Sequence, residues 1–204
     1  SVRGVNLTGH TMYGWNLSGV YLNDADLAGA NLTNADLGNA VLTNANLISA
    51  DLTGAYLGSA ELKNLDLAGA NLTNASLRIA DLTGADLTDA HLNNADLEAA
   101  NLTNAVLTNA DLTGAGLFYA DLAGADLSGS DLGNIVTYNH STWTDAFYYT
   151  DNEPTWASGM GAAWRTSVGI VERSSLGAGS PVPEPRALLL ALIGLALVPR
   201  RRRR

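Results

Sequence analysis

The sequence predicts an all-β solenoid, in which the chain winds around one axis in short extended segments. Leu recurs at every fifth residue from Leu7 to Leu132, and Met12 is the one exception in 26 positions. Ala stands two residues before each Leu from Ala25 to Ala125, except at Leu65. Self-similarity at a fixed period indicates a repeat architecture, so this register is the main guide to the fold.

A period of five fits neither regular secondary structure. On an α-helix each Leu would be rotated by about 140° from the last, which spreads the side chains around the whole cylinder. On a flat strand an odd step would place successive Leu residues on opposite faces. The chain must therefore turn a corner every five residues, so that each Leu and the Ala before it point to a common axis.

The repeated units resemble the pentapeptide-repeat family over residues 5 to about 134. Three representative units are Ala25-Asp26-Leu27-Ala28-Gly29, Ala30-Asn31-Leu32-Thr33-Asn34 and Ala85-Asp86-Leu87-Thr88-Asp89. The resemblance implies a right-handed quadrilateral β-helix with four pentapeptides per coil, a number that the period alone does not provide. The 26 units would then form about 6.5 coils, and a strand spacing of about 4.8 Å would make a rod of about 31 Å.

The two ends of the repeat depart from the Ala-Leu pattern. Residues 1–24 have bulky side chains in the Ala positions, which suit a wider or open end, and we predict an N-terminal coil and cap there. These side chains belong to Val5, His10, Trp15 and Val20. The chain begins with Ser1 and not with Met, and we expect that an earlier segment, such as a signal peptide, has been removed or was never included.

Within the repeat, Gly and Asn are frequent at the two corner positions after each Leu, which predicts tight turns with positive φ. Leu65 stands in an Ala position, so we expect it to overpack its coil and to cause a local bulge.

Beyond Leu132 the register is lost and the sequence becomes aromatic. An open end of a solenoid needs covering, and we predict a C-terminal capping region over residues 135–173, with a short helix between Thr155 and Val171. The predicted organisation is a repeat domain over 1–134, this cap, a linker over 174–181 and a sorting segment over 182–204.

The sorting segment resembles the PEP-CTERM signal, which has three parts in this order. They are the motif Val182, Pro183, Glu184 and Pro185, the apolar run from Ala187 to Val198, and the basic residues Arg200, Arg201, Arg202, Arg203 and Arg204. The resemblance implies export, a transient inner-membrane anchor and processing by an exosortase. As a helix the apolar run would cover only about 18 Å of a hydrocarbon core of about 30 Å, which is short for a stable membrane helix.

The charge is unevenly distributed. Residues 1–135 carry 15 Asp and Glu against Arg3, Lys63 and Arg78, a net charge of −12, whereas the remainder carries a net charge of +3. An acidic rod repels the phosphate backbone, so we expect no nucleic-acid partner.

The sequence contains no pattern that predicts an enzyme. We interpret the repeated Asp residues as a solvated outer face, and the residues His10, His91 and His140 are too dispersed to predict a zinc site or a catalytic triad. Thr33, Thr53, Thr73 and Thr113 would share a column, similar to ice-binding solenoids, but Asn93 interrupts it and its neighbouring columns are mixed. We therefore expect no catalytic, cofactor-binding or metal-binding residues and no cofactor.

The sequence supports two hypotheses for the function. The first is a non-enzymatic exported scaffold of the cell surface or extracellular matrix, with exopolysaccharide or envelope proteins as partners. The alternative is a cytosolic DNA mimic that inhibits type II topoisomerase, since about 31 Å of duplex carries roughly 18 negative charges. An export signal argues against a cytosolic inhibitor.

Overall fold

The structure, a computed structural model, describes residues 3–138 and 140–174 and shows a four-sided coil. Parallel bridges join residues 20 positions apart, beginning with Asn6 to Asp26 and recurring every five residues as far as Asp111 to Asp131. Bridges every fifth residue with a 20-residue repeat give four sides per coil. The number of sides that the resemblance implied is therefore confirmed.

Each corner of the coil is a tight turn. The N–H of Ala30, for example, donates to the carbonyl of Leu27 at 3.0 Å. The second corner residue has a positive φ at every corner from Gly4 to Asn134. Positive φ at the third position of a four-residue turn defines a type II turn, which Gly and Asn adopt at the least cost. The corner prediction is confirmed.

The interior consists of the Leu and Ala side chains of the register. From Leu22 to Leu132 the inward Leu residues are at most 4% exposed, and the inward Ala residues from Ala25 to Ala125 are at most 1% exposed. Each buried Leu contributes about 1.5–3 kcal/mol of transfer free energy. The predicted facing of the two side chains is confirmed.

The prediction of a local bulge at Leu65 is wrong. Leu65 is 1% exposed, and the bridges from Asp66 to the coils on either side are retained. Two hydrogen bonds are lengthened here. The Leu65 N–H donates to Leu62 at 3.3 Å, against 2.9 Å at Ala70, and the Asp66 N–H donates to Ala45 at 3.1 Å, against 2.9 Å from Asn71 to Ala50. The bridge register places two small residues, Ala45 and Ala85, beside Leu65 in the adjacent coils, and these leave space for the larger side chain.

A bulge occurs instead at Val136 and Thr137. The Val136 N–H donates to Ala115 at 3.0 Å, whereas the Thr137 carbonyl accepts from Leu117 at 2.7 Å. Two residues thus oppose the single residue Gly116, which is the definition of a β-bulge. The inserted residue moves Thr137 from the expected Leu position to the bridging position, and this explains why the five-residue register is lost in the sequence.

The ladder continues beyond residue 134, where the sequence predicted the repeats to end. Further bridges join Asp121 to Thr142 and Asp131 to Thr155. Four aromatic residues directly follow bridging residues in this coil and occupy the positions that Leu holds elsewhere. Of these, Trp143 is 1% and Tyr148 is 5% exposed, while Tyr138 and Trp156 are half-buried. The large rings fill the last cross-section of the core.

A short helix completes the C-terminal end. The strand β1, Phe147–Tyr149, pairs in parallel with β2, Val171–Arg173, and the helix α1, Ala162–Ser167, lies between them in the chain. Trp164 of α1 packs edge-on against Tyr138 and Trp143, with ring centroids 5.2 and 5.8 Å apart. These contacts cover the aromatic coil.

The predicted sorting segment lies outside the described residues, as does the predicted linker after Ser174. The membrane helix expected at its apolar run belongs to the same part of the chain. Among residues 3–138 and 140–174, no helix has the length and apolar character needed to cross a membrane.

Candidate interaction surfaces

The structure does not bring the three His residues together. His10 lies in the first coil, His91 bridges to Asn71 and Asp111 on a lateral face, and His140 lies at a corner of the last coil. In the described part of the chain, no group of three or more His, Cys, Asp or Glu side chains could hold a metal ion.

The outward Asp and Asn residues close the corners of the coil. The Oδ1 atom of Asn31 accepts the N–H of Thr33 at 3.0 Å, and Asp86 accepts the N–H of Thr88 at 2.9 Å. The same bond, from residue i+2 to the side chain of residue i, recurs on all four faces. This local bond explains why Asp and Asn alternate freely at the bridging position, since both supply the acceptor oxygen.

Three of these carboxylates have lowered pKa values. The Thr53 hydroxyl, 2.6 Å from the Asp51 oxygen, is the main cause of the lowered pKa of Asp51. For Asp81 and Asp111, burial pushes the pKa upward, but hydrogen bonds from neighbouring side chains outweigh it and the pKa is lowered. These groups are ionised at neutral pH, so their charge contributes to the acidic surface of the rod.

One corner of the rod carries an exposed apolar strip. This corner strip consists of Ile79, Phe118, Tyr119 and His140 at one corner, together with Val136 in the bulge on the adjoining face. Ile79 and Tyr119 are two coils apart, and Ala99 occupies the same corner in the coil between them. Ile79 is 64%, Tyr119 56% and Val136 69% exposed. The Phe118 ring lies 4.3 Å from that of Tyr119 and 5.5 Å from that of His140, between ring centroids. The aromatic members therefore form one continuous surface.

The backbone under the corner strip is strained. Ile79 and Tyr119 have φ values of 61° and 58°, although other coils place Gly19 and Asn39 at the same corner. A left-handed conformation is an outlier for a β-branched residue and costs about 1–3 kcal/mol. Exposed side chains recover little of this cost by burial. An exposed apolar patch on strained backbone is typical of a binding surface.

The sequence contained a signal for the corner strip that the repeat analysis did not use. Ile79 and Tyr119 stand at the positive-φ position that Gly or Asn holds at most corners, and they are larger than the other exceptions, which are Asp24, Ser49, Ser59, Asp89 and Ala99. Their grouping depends on the 20-residue coil, because only that spacing shows that they lie on the same corner.

The N-terminal coil contains an apolar cavity, whereas Leu and Ala side chains fill the later coils. Its bulky residues surround an apolar cavity of about 320 Å³, lined by Leu7, Met12, Trp15 and Leu17 among others. Trp15 is 55% exposed.

Comparison with known proteins agrees with this architecture. The family model of pentapeptide repeats matches residues 21–58, 50–89, 80–117 and 95–134. No curated protein sequence matches the chain.

Among solved structures, a trypsin-treated variant of QnrB1, a plasmid-mediated fluoroquinolone resistance protein, has a TM-score of 0.64 at 16% identity, and the match covers 97% of this chain and 99% of that chain. HetL, involved in heterocyst differentiation regulation in Nostoc sp. strain PCC 7120, is 27% identical over 77% of this chain and 86% of its own, with a TM-score of 0.26. A protein of the Arabidopsis thaliana thylakoid lumen is 28% identical over 77% of this chain and 89% of its own, with a TM-score of 0.33. The coil geometry and the family match together show that the chain belongs to the pentapeptide-repeat family, whose members are right-handed β-helices.

Proposed function

We propose that this protein is a non-enzymatic binding rod of the cell envelope. In this proposal it is exported, held in the inner membrane by its C-terminal segment, and processed by an exosortase before delivery to the cell surface or extracellular matrix. Two features support the proposal. The core from Leu22 to Leu132 is filled by Leu and Ala side chains, and the tail carries the ordered motif, apolar run and Arg cluster described above.

The corner strip is the observation that carries the binding role. The exposed faces of its Phe and Tyr rings offer apolar contact, and these rings carry no charged group that could bind a partner. The adjacent Arg78 is paired with Asp96 at 3.3 Å and with Glu98. Flat rings pack well against uncharged partners that have an apolar face. A polysaccharide chain or a neutral patch of an envelope protein meets that requirement, whereas the acidic faces would repel an anionic partner.

The sorting step is tested in the native host. Replacing Glu184 and Pro185 with Ala should leave the tail uncleaved and the protein in the inner-membrane fraction. Pro181→Ala, just outside the motif, is the matched control and should be processed normally. Mass spectrometry of the mature C-terminus is the measurement. A mature protein that still ends at Arg204 would contradict the processing step.

The binding step needs its own experiment. A variant with Phe118→Ala and Tyr119→Ala should lose most of its retention on the exopolysaccharide or envelope fraction of the host. Tyr13→Ala is the control, because Tyr13 is similarly exposed, at 61%, but lies outside the corner strip. Equal retention of both variants would exclude the corner strip as the binding surface.

A second candidate function is a DNA-mimic inhibitor of type II topoisomerase. The observation in its favour is the net charge of −12 over residues 1–135, about two-thirds of the roughly 18 charges on an equal length of duplex. The likeness to QnrB1, at 16% identity, concerns the fold alone. Inhibition of gyrase supercoiling by sub-micromolar protein, together with a cytosolic location, would favour this candidate over the envelope rod.

A further inference from the structure

Tyr56 is an exposed aromatic residue on a face that borders the corner strip. It occupies a bridging position between Asp36 of the preceding coil and Ser76 of the next. The residues two positions after the bridging ones stack in one column along the edge of this face. In successive coils they are Gly38, Gly58, Arg78, Glu98 and Phe118. Tyr56 therefore lies on the same side of the rod as the aromatic part of the corner strip.

The Tyr56 ring lies across the first two residues of this column. Gly38 and Gly58 are buried, although both stand at outward corner positions. A Cβ atom at Gly38 would come within 2.6 Å of the ring atom Cε1, and one at Gly58 within 2.5 Å of Cζ. Neither glycine has a positive φ, so the turn itself does not require Gly there. The two glycines leave room for the ring to lie along the surface, where it remains 50% exposed.

Hydrogen-bonding groups flank the ring in the two neighbouring coils. Asp36 accepts the Gly38 N–H through Oδ1 at 2.9 Å, and its Oδ2 atom has no hydrogen-bond partner among the described residues. Ser76, in the coil on the other side, carries a hydroxyl group. A sugar ring matches this arrangement, because its ring C–H groups form an apolar face that packs on an aromatic ring, while its hydroxyls project from the edge toward polar groups.

The column between Tyr56 and the corner strip offers no free positive charge. Arg78 is paired with Asp96 at 3.3 Å and with Glu98. An anionic chain would therefore meet unpaired carboxylate charge without a cation to bind it, which favours an uncharged ligand. Gly58 and Phe118 are three coils apart, or about 14 Å at a strand spacing of about 4.8 Å. A chain of several sugar units, but not a single sugar, can reach both rings.

We propose that Tyr56 is a second stacking platform, and that one uncharged polysaccharide chain lies along the rod from Tyr56 to Phe118 and Tyr119 of the corner strip. This inference rests on the proposed binding function, and it specifies the chemical class of the ligand and its direction on the rod. Two contacts with one chain bind more tightly than either contact alone, because the second forms within the existing complex.

Chemical modification of Tyr side chains tests the site directly. The full chain is nitrated with tetranitromethane, with and without the neutral fraction of the host exopolysaccharide, which anion exchange separates from the acidic fraction. Mass spectrometry measures the modification of each Tyr. We expect the neutral fraction to protect Tyr56 and Tyr119. Tyr21 is the matched control and should react equally in both samples, because it also holds a bridging position and is 55% exposed, but lies on a different face.

The pattern of protection separates this inference from the proposed function. Protection of Tyr119 without Tyr56 would overturn the second platform and leave binding at the corner strip intact. Protection by the acidic fraction alone, or by envelope proteins alone, would overturn the uncharged polysaccharide as the ligand. Protection of neither Tyr by any of these fractions would count against both the inference and the proposed binding function.

Substitutions test whether the orientation of the ring is important. Gly58→Ala should displace the Tyr56 ring without removing it, because the new Cβ would overlap Cζ and the side chain can rotate away. We expect Gly58→Ala and Tyr56→Ala each to weaken retention on the neutral fraction about tenfold. Tyr56→Phe, which keeps the ring, should bind as the wild type does.

A second glycine provides the control for the added methyl group. Gly161→Ala should leave retention unchanged, because a Cβ atom at Gly161 meets no other atom within 4 Å and its φ is not positive. Wild-type retention of both Gly58→Ala and Tyr56→Ala would overturn the inference. So would an equal loss in Tyr56→Phe, since the contact would then depend on the hydroxyl and not on stacking.

Discussion

Asp51 and Thr53 lock one corner of the coil through two hydrogen bonds to a single oxygen. The Oδ1 atom of Asp51 accepts the Thr53 N–H at 3.0 Å and the Thr53 hydroxyl at 2.6 Å. The same pair of bonds joins Asn101 and Thr103, at 3.0 and 2.6 Å. A neutral amide oxygen therefore performs the structural role as well as a carboxylate does, and the charge can be removed without losing the corner.

We expect acid to destabilise the rod by protonating the carboxylates of Asp51, Asp81 and Asp111. Their pKa values are lowered in the folded protein, so their stabilisation is complete above the unfolded-state pKa of about 3.9 and is lost as the pH falls through the folded-state value. The triple variant Asp51→Asn, Asp81→Asn, Asp111→Asn should be less sensitive to acid than the wild type. Urea melts at pH 7 and about pH 3 measure this. Parallel losses in both proteins would contradict it.

Substitution at an inward position should destabilise the rod much more than substitution at an outward position. Ala85 is fully buried in the core, so Ala85→Phe should lower the free energy of unfolding by a few kcal/mol through overpacking. Asp86→Asn changes the next residue, which faces outward and accepts the Thr88 N–H, and should have little effect. Denaturant melts compare the two variants. Equal effects would refute the assigned facing.

The corner strip should be removable with a gain in stability. Ile79→Asn places a residue suited to positive φ where φ is 61°, and we expect a gain of about 1 kcal/mol. The reciprocal change Asn39→Ile, at the same corner with φ 55°, should cost a similar amount. Thermal melts measure both. A loss of stability on Ile79→Asn would mean that the exposed Ile side chain contributes to folding.

Trp143 should be important to the last coil through its volume and not through its indole N–H. The side chain is 1% exposed, and its Nε1 atom has no hydrogen-bond partner among the described residues. Trp143→Ala should cost about 3–5 kcal/mol. Trp143→Phe, which also removes a buried donor without a partner, should cost much less. Chemical denaturation tests this, and equal losses would indicate that the N–H is bonded to water.

Much of the repeat could be predicted from the sequence because its determinants are local. The five-residue register places Leu and Ala inward, and corner residues such as Gly29 and Asn34 adopt the positive φ that their types favour. Each of these preferences operates within one turn of the chain. The assignment of Asp and Asn to the outer face is local for the same reason, since the bond that closes the corner spans two residues.

The features of the candidate surfaces depend on residues about 20 or more positions apart. Leu65 is accommodated because its neighbours across the coils are Ala45 and Ala85, and the bulge at Thr137 exists only in relation to Gly116. Likewise, Ile79 and Tyr119 lie at the same corner because their spacing of 40 residues equals two full coils. The local register determined which side chains face the axis. The tertiary structure decided which of the outward ones meet, since stacking between coils and the covering of the C-terminal end involve contacts that a five-residue period does not encode.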